Sequence, residues 1–370
     1  MQDDERGPAG QAGVWRAIDA SANRAGEALR VLEDVARFAL GDVRLTALAK
    51  NLRHDLAAVL AEGRFARRVA ARDVAGDVGA GLGAAAALGR GSAVDLVAAN
   101  AGRAAQALRS LEECAAVVAP GAAADFERLR YRLYELERGA ALAARSRERL
   151  ADVRLCVLVD GGGSAAAFAR LVEAVLGAGV RMLQVRDKLL PVPVLVDRVL
   201  QAVDIARRLD PGDPALVVVN DRVDVAAATG AAGAHVGDDD LPIPLARRVV
   251  GPEAVLGRTA HDLEAAEAAA AAGADYLGVG PCFPSATKSF PEQAPAAFLR
   301  GVATGIALPA FAIGGVTLDR LESLFELGID RVAVASAVTG APDPAAAAAA
   351  LLARLASAGV TAARPPRSSP

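Results

Sequence analysis

Cysteine, histidine and tryptophan are scarce in this chain of 370 residues, at three, three and one. Cys114, Cys156 and Cys282 are widely spaced and odd in number, which excludes a disulfide framework and a zinc-ligand pattern and suits a reducing compartment. His54, His235 and His261 have no serine or cysteine in a triad-like setting, so nucleophilic acyl chemistry is not expected. No uninterrupted apolar run approaches the roughly 18 residues that span a bilayer. The opening MQDDERGPAG is acidic where a signal peptide would be basic and then apolar. Acids and bases nearly balance, at a formal net charge of −3, so there is no broad basic surface for nucleic acid. The expectation is a cytoplasmic protein that acts on small molecules, with no nucleic-acid or membrane partner. A homo-oligomer is compatible with such a chain.

What is abundant is alanine, together with a change of pattern near residue 150. The length is generous for one core and comfortable for two domains. Up to about residue 150, apolar residues recur at spacings of three and four with arginine and glutamate between them, which predicts helices throughout. Beyond it, short strands alternate with alanine-rich helical segments. The expected organisation is an all-α domain over 1–150, an α/β domain over 151–358, and a disordered proline- and serine-rich tail over 359–370. Residues 139–152 are expected to end the last N-terminal helix and to connect the two domains.

The N-terminal part repeats itself. RAGEALRVLED, from Arg24, returns 79 residues later as RAAQALRSLEE, from Arg103, and LRHDL at Leu52 returns as LRYRL at Leu129. A duplicated helix pair packed about a pseudo-twofold axis is expected. Arg24, Glu27, Arg30 and Asp34 stand three or four apart, which a solvated, ion-paired helix face would also show. The recurrence of charged positions in both copies weighs against a merely soluble surface. Asn23 and Asn100 accompany the two arginines, and Asn and Arg side chains meeting across a twofold would make a polar pocket suited to phosphate. The candidate residues of this domain are therefore Asn23, Arg24, Glu27, Arg30, Asn100 and Arg103.

After residue 150 eight runs read as strands: 154–160, 180–186, 215–220, 233–237, 254–258, 275–280, 309–315 and 331–336. Their alternation with helices predicts a (β/α)8 TIM barrel, whose chemistry belongs at the C-terminal ends of the strands. Strand two ends in Gln184, Arg186 and Lys188, which period-two spacing sends to one side. Strand three ends in Asn220 and Asp221, and Asp240 follows strand four within the run DDD. Those two aspartates suggest a metal site, although either could equally cap the helix after it. Strand five carries Thr259 and leads to His261, which is expected to cap or orient; His235 is expected to be a packed core residue. Strand six runs into GPCFPSATK with Ser285, Thr287 and Lys288. Strands seven and eight end in Gly314-Gly315 and Ala335-Ser336, where backbone N–H groups could close on a phosphate. Such a set neutralises anions and is poor in proton-transfer groups. It suits a reaction that expels diphosphate while a second phosphorylated substrate attacks.

These motifs have a relative. QVRDK, VVVNDRVDVAAATGAAGAHVGDDDLP, GADYLGVGPCFPSATK, AIGGV and VASA together resemble the thiamine phosphate synthase family over residues 152–358. The resemblance implies a transferase in which a pyrimidine diphosphate loses diphosphate with Mg²⁺ help and the nitrogen of a thiazole phosphate captures the resulting pyrimidinyl-methyl cation. It makes Asp221 and Asp240 the Mg²⁺ carboxylates. It assigns Gln184, Arg186, Lys188, Asn220 and Lys288 to the pyrimidine diphosphate, with Thr259 standing where the family usually has serine. Ser285, Thr287, Gly315, Ala335 and Ser336 would cradle the thiazole phosphate. Asp187 and Asp238 stand where glutamate and glutamine are more usual, and Asp238 or Asp239 could compete for the metal.

IDASANRAGEALRVLEDVARFAL, LRHDL and DVAGDVG resemble the helical module often fused to this synthase, a hydroxymethylpyrimidine phosphate kinase unrelated to ribokinase-like enzymes. That resemblance implies ATP as a substrate, although no P-loop or kinase signature is present. The alternative is a thiazole tautomerase barrel, which needs neither the carboxylates nor the full basic set, with the N-terminal domain a dimerisation or docking module.

Overall fold

The computed structural model describes residues 8–73, 91–284 and 293–361. The chain forms two compact units, Met1–Arg145 and Ser146–Pro370. No helix among the described residues is long and apolar enough to cross a membrane.

The first unit is all helical. Its elements are α1 (Pro8–Asp34), α2 (Val43–Ala61), the single turn α3 (Arg67–Ala70), α4 (Ala93–Val118) and α5 (Ala123–Leu150). Side chains set two of the starts: Asp42 accepts from the Leu45 N–H at 2.8 Å, and Ser92 accepts from the Asp95 N–H at 3.2 Å. The leucine stripes of both copies, Leu29 and Leu32 on α1 and Leu108 and Leu111 on α4, are fully buried in one core together with Leu52, Leu133, Phe65 and Phe126. The duplication extends to ion pairs. Arg53 on α2 reaches Glu33 on α1 at 2.8 Å, and Arg130 on α5 reaches Glu112 on α4 at 3.1 Å. The expected connection at 139–152 is helical as far as Leu150, because α5 runs unbroken past the limit of the first unit.

The second unit is a closed parallel barrel with its eight strands in sequence order. They are β1 (Leu155–Val159), β2 (Met182–Val185), β3 (Leu216–Asn220), β4 (Gly233–Val236), β5 (Val255–Ala260), β6 (Tyr276–Val279), β7 (Ala310–Ile313) and β8 (Val332–Val334). The period of two divides each strand between two cores. Leu155, Val157, Leu183, Val217, Val219, Ala234 and Val236 face the helices. Cys156, Leu158, Met182, Leu216, Val218, Val255, Tyr276 and Phe311 fill the barrel interior. Carried toward the C-terminal ends, the inward series reaches Gln184, Asn220, His235 and Thr259, so the layer above the apolar plug is polar. The last helix runs Pro344–Thr361, so residues 359–361, expected to belong to the disordered tail, are helical; residues 362–370 and most of DVAGDVG lie outside the described residues.

Candidate active site

A cavity of about 460 Å³ opens at the C-terminal face of the barrel. Gln184, Arg186, Lys188, Asn220, Asp221, Asp240 and Thr259 line one part of it, and Gly315, Ala335 and Ser336 another. Ser285, Thr287 and Lys288 lie outside the described residues.

The two carboxylates meet above β3 and β4. Asp221 is the only described non-glycine residue with positive φ, at 59°, a conformation that L side chains adopt only when held there. Its N–H donates to the His235 carbonyl at 2.8 Å, and the Lys188 ammonium stands 3.0 Å from its carboxylate. Asp240 accepts from the Gly237 N–H at 2.7 Å. Burial, and then the hydrogen-bonded Asp221 carboxyl beside it, hold the Asp240 carboxyl above its ordinary range. Neither aspartate caps a helix: the helices Val223–Thr229 and Ile243–Val250 start behind Arg222 and Pro242, with no side-chain cap. Two carboxyls this close repel when both are ionised, and a divalent cation between them removes that cost. Among the described residues no group of three or more His, Cys, Asp or Glu could hold a metal. A cation here would thus be held by two carboxylates and would take its other oxygens from water or substrate, the coordination habit of Mg²⁺. Asp238 and Asp239 are exposed, and Asp238 is engaged by Arg258 at 3.0 Å and by His261 at 3.8 Å.

Beneath the carboxylates runs a chain of buried polar groups. Gln184 is buried in this layer, the Tyr276 hydroxyl lies 3.2 Å from His235 Nδ1, and His235 Nε2 lies 3.0 Å from the Thr259 hydroxyl. His235 is 8% exposed, as a core residue would be, and it also forms part of the cavity floor. Burial first, then the positive charge of Arg258, lowers its pKa to about 4, so the ring is neutral at pH 7. Gly257 makes room for this pair, since a Cβ there would stand 2.1 Å from Tyr276 and 2.4 Å from His235. His261 does not cap the helix after it, because Asp262 does so by accepting from the Ala265 N–H at 2.7 Å; the His261 Nδ1 donates to the Gly280 carbonyl at 2.7 Å.

Across the cavity, Gly315 has φ 62°, and a Cβ on it would meet the Pro284 carbonyl oxygen at 2.3 Å, so the backbone passes where no side chain fits. Arg320 was not foreseen from the sequence. It lines the cavity, donates to the Gly315 carbonyl at 2.6 Å and stacks over Phe283 at 5.2 Å. No motif marks it, because it sits in the turn after the glycines and is placed there only by the fold.

The first unit has a cavity of its own, of about 530 Å³, between α1 and α4. From α1 come Ser21, Arg24, Glu27, Ala28 and Val31; the α4 contributors, from Asn100 and Arg103 to Ser110, each lie 79 residues further on. Arg24, Glu27, Asn100 and Arg103 are thereby brought together. Asn23 and Arg30 are not: neither lines the cavity, and Arg30 pairs on the surface with Glu33 at 3.7 Å and Asp34 at 3.4 Å. A helix turns 100° per residue, so Asn23 points well away from Arg24, and Arg30 likewise leaves the stripe that faces α4. Ser21 and Ser110 were missed, and they share a hydrogen bond at 3.0 Å.

Residues 155–338 match the profile of the family described as thiamine monophosphate synthase, and residues 16–139 match the ThiD2 family. A thiamine-phosphate synthase of Rhodopirellula baltica is 39% identical over 335 residues, covering 88% of each chain. The enzyme of the same name from Gloeobacter violaceus is 38% identical over 333 residues, 90% of this chain and 94% of its own. The chain belongs to the thiamine-phosphate synthase family. Among solved structures, a thiamine phosphate pyrophosphorylase from Pyrococcus furiosus is 30% identical and aligns with a TM-score of 0.49, covering 56% of this chain and 97% of its own. In this member of the thiamine-phosphate synthase family, Thr259 carries the hydroxyl that meets His235, and Asp238 has Arg258 as its partner.

Proposed function

We propose that the barrel condenses 4-amino-2-methyl-5-hydroxymethylpyrimidine diphosphate with hydroxyethylthiazole phosphate, giving thiamine phosphate and diphosphate. The observation that carries this reading is the pair Asp221 and Asp240, with Lys188 beside it, in the same cavity as Gln184, Arg186 and Asn220. A cation held by the two carboxylates, Mg²⁺ by the fit of the donor set, would supply charge to oppose the leaving diphosphate. Arg186, Lys188, Asn220 and, from the loop after β6, Lys288 share the negative charge that grows on that group as the methylene C–O bond breaks and its electron pair departs. Gln184 and Thr259 orient the same substrate from the floor. Gly315, Ala335 and Ser336, with Ser285 and Thr287, hold the thiazole phosphate, so that the ring nitrogen faces the methylene carbon. That nitrogen donates its lone pair to the new C–N bond and has no proton to lose. A site that keeps the His235 imidazole neutral therefore suits the reaction.

For the N-terminal unit the reading is transfer of a phosphoryl group from ATP to the pyrimidine monophosphate, which makes the diphosphate that the barrel consumes. Both activities use small soluble substrates of the cytoplasm. The test is one coupled assay of the full chain with pyrimidine monophosphate, ATP, thiazole phosphate and Mg²⁺, following thiamine phosphate, run beside a second in which the diphosphate is supplied ready made. Product only in the second removes the kinase reading. Product in neither removes the synthase reading, and isomerisation of a thiazole phosphate without condensation would establish the tautomerase instead.

A further inference from the structure

The N-terminal cavity is lined by two copies of one pattern, and its charges are unusual for the helices that build it. Arg30 on α1 and its counterpart Arg109 on α4 are each flanked by two carboxylates on their own helix, Glu33 and Asp34 for the one, Glu112 and Glu113 for the other. Arg24 and Arg103, one turn and a half earlier, face the cavity, and among the described residues neither has an ion-pair partner. Two like charges opposed across a gap repel, and an anion bound between them converts that repulsion into attraction; the planar forks of two guanidinium groups suit the oxygens of a phosphate.

The two halves differ where it matters for selectivity. Glu27 on α1 is matched on α4 by Gln106, so among the described residues the cavity has a single carboxylate. Asn100 is buried at the floor and donates its side-chain N–H to the Leu96 carbonyl at 2.8 Å, which leaves its amide oxygen to accept. One end is closed by the Ser21–Ser110 hydroxyl pair, whereas the positions related to it by the repeat, Asn100 and Val31, cannot form the same bond. A symmetric anion holder thus carries an unsymmetric set of acceptors.

We infer that this cavity is a phosphate-monoester site on the pseudo-twofold axis, with the phosphate between Arg24 and Arg103 and an amino-substituted ring donating to Glu27 and the Asn100 amide oxygen. The inference rests on the kinase reading for the identity of the monoester, the pyrimidine monophosphate. Its location follows from the cavity alone.

Equilibrium dialysis of the full chain against labelled pyrimidine monophosphate, without ATP, tests it. The wild-type protein is expected to bind one equivalent more than Arg24→Gln/Arg103→Gln, since any binding by the barrel is common to both. Each single substitution should weaken that site about tenfold or more. Glu27→Gln should weaken pyrimidine monophosphate while leaving inorganic phosphate unaffected. Emission of Trp15, the one tryptophan, reports whether the helical unit remains folded; if the double variant unfolds, the single variants are compared instead. Equal stoichiometry in wild type and folded double variant, or unchanged affinity in the folded single variants, overturns the site. ATP-dependent diphosphate formation is measured separately. Its absence removes the kinase reading and leaves the dialysis result standing, whereas turnover undiminished in Arg24→Gln and Arg103→Gln removes the site and leaves the kinase.

Discussion

Acid should loosen the barrel through one residue, His235. The ring sits between Tyr276 and Thr259, and burial, followed by the charge on Arg258, brings its pKa from the ordinary 6.5 to about 4. A histidine whose folded pKa is depressed contributes stability that is fully present above the unfolded value and is lost as pH falls through the folded one. At about 1.4 kcal/mol per pH unit, acidification from pH 6.5 to pH 4 should remove about 3 kcal/mol from the barrel through this group alone. His235→Gln keeps a donor and an acceptor in place but cannot titrate. It should cost about 1–3 kcal/mol at pH 7, from imperfect replacement of two buried hydrogen bonds, and the difference should then shift by about 3 kcal/mol in the variant's favour as the pH is lowered to 4, closing or reversing the gap. Two units need two probes, since a single two-state fit does not apply. Urea unfolding followed by Trp15 emission reports the helical unit, and the far-UV circular dichroism left after subtracting that transition reports the barrel. Barrel stabilities of the two proteins that stay parallel from pH 7 to pH 4 would refute the reasoning.

Other outcomes follow from the same geometry. Asp221→Ala should lower Mg²⁺-dependent condensation by about 10²-fold or more while the barrel stays folded, and the same holds for Asp240→Asn; wild-type turnover at saturating Mg²⁺ in either variant would remove that residue's role. Arg320→Ala should raise KM for the thiazole phosphate about tenfold with kcat little changed, because it removes a cation from that side of the cavity without touching the leaving group; a fall in kcat alone would speak against this. Gly315→Ala places a methyl 2.3 Å from the Pro284 oxygen at a φ of 62°. It should cost more than the about 1–2 kcal/mol of the left-handed conformation alone, read as a lower barrel midpoint and poorer saturation by thiazole phosphate.

The barrel was legible because each strand is a short apolar run that stops at a polar or glycine-rich end, and these stops mark its C-terminal face. Asp221 and Asp240 could be placed at strand ends, but their freedom from helix capping could not, because it depends on the positive φ of Asp221 and on Arg222 and Pro242 occupying the cap positions. His235 looked like core because an inward strand residue reads the same whether apolar side chains or a cavity lie above it. Its partners Tyr276 and Thr259 are tens of residues away in sequence. In the helical unit the repeat was visible as matching letters, which drew attention to Asn23 and Arg30. The cavity selects by helical phase, and that criterion picks Ser21 and Ser110 and leaves those two outside.

A pocket made by two copies of one peptide would be bound to keep its halves alike, because every substitution would appear on both sides at once. Here the copies lie on one chain, 79 residues apart. Each side can change alone, and Glu27 in one copy where the other has Gln106 is such a change. Covalent duplication has freed the cavity from the symmetry that formed it, so that a holder indifferent to which way round its ligand lies can come to favour one orientation.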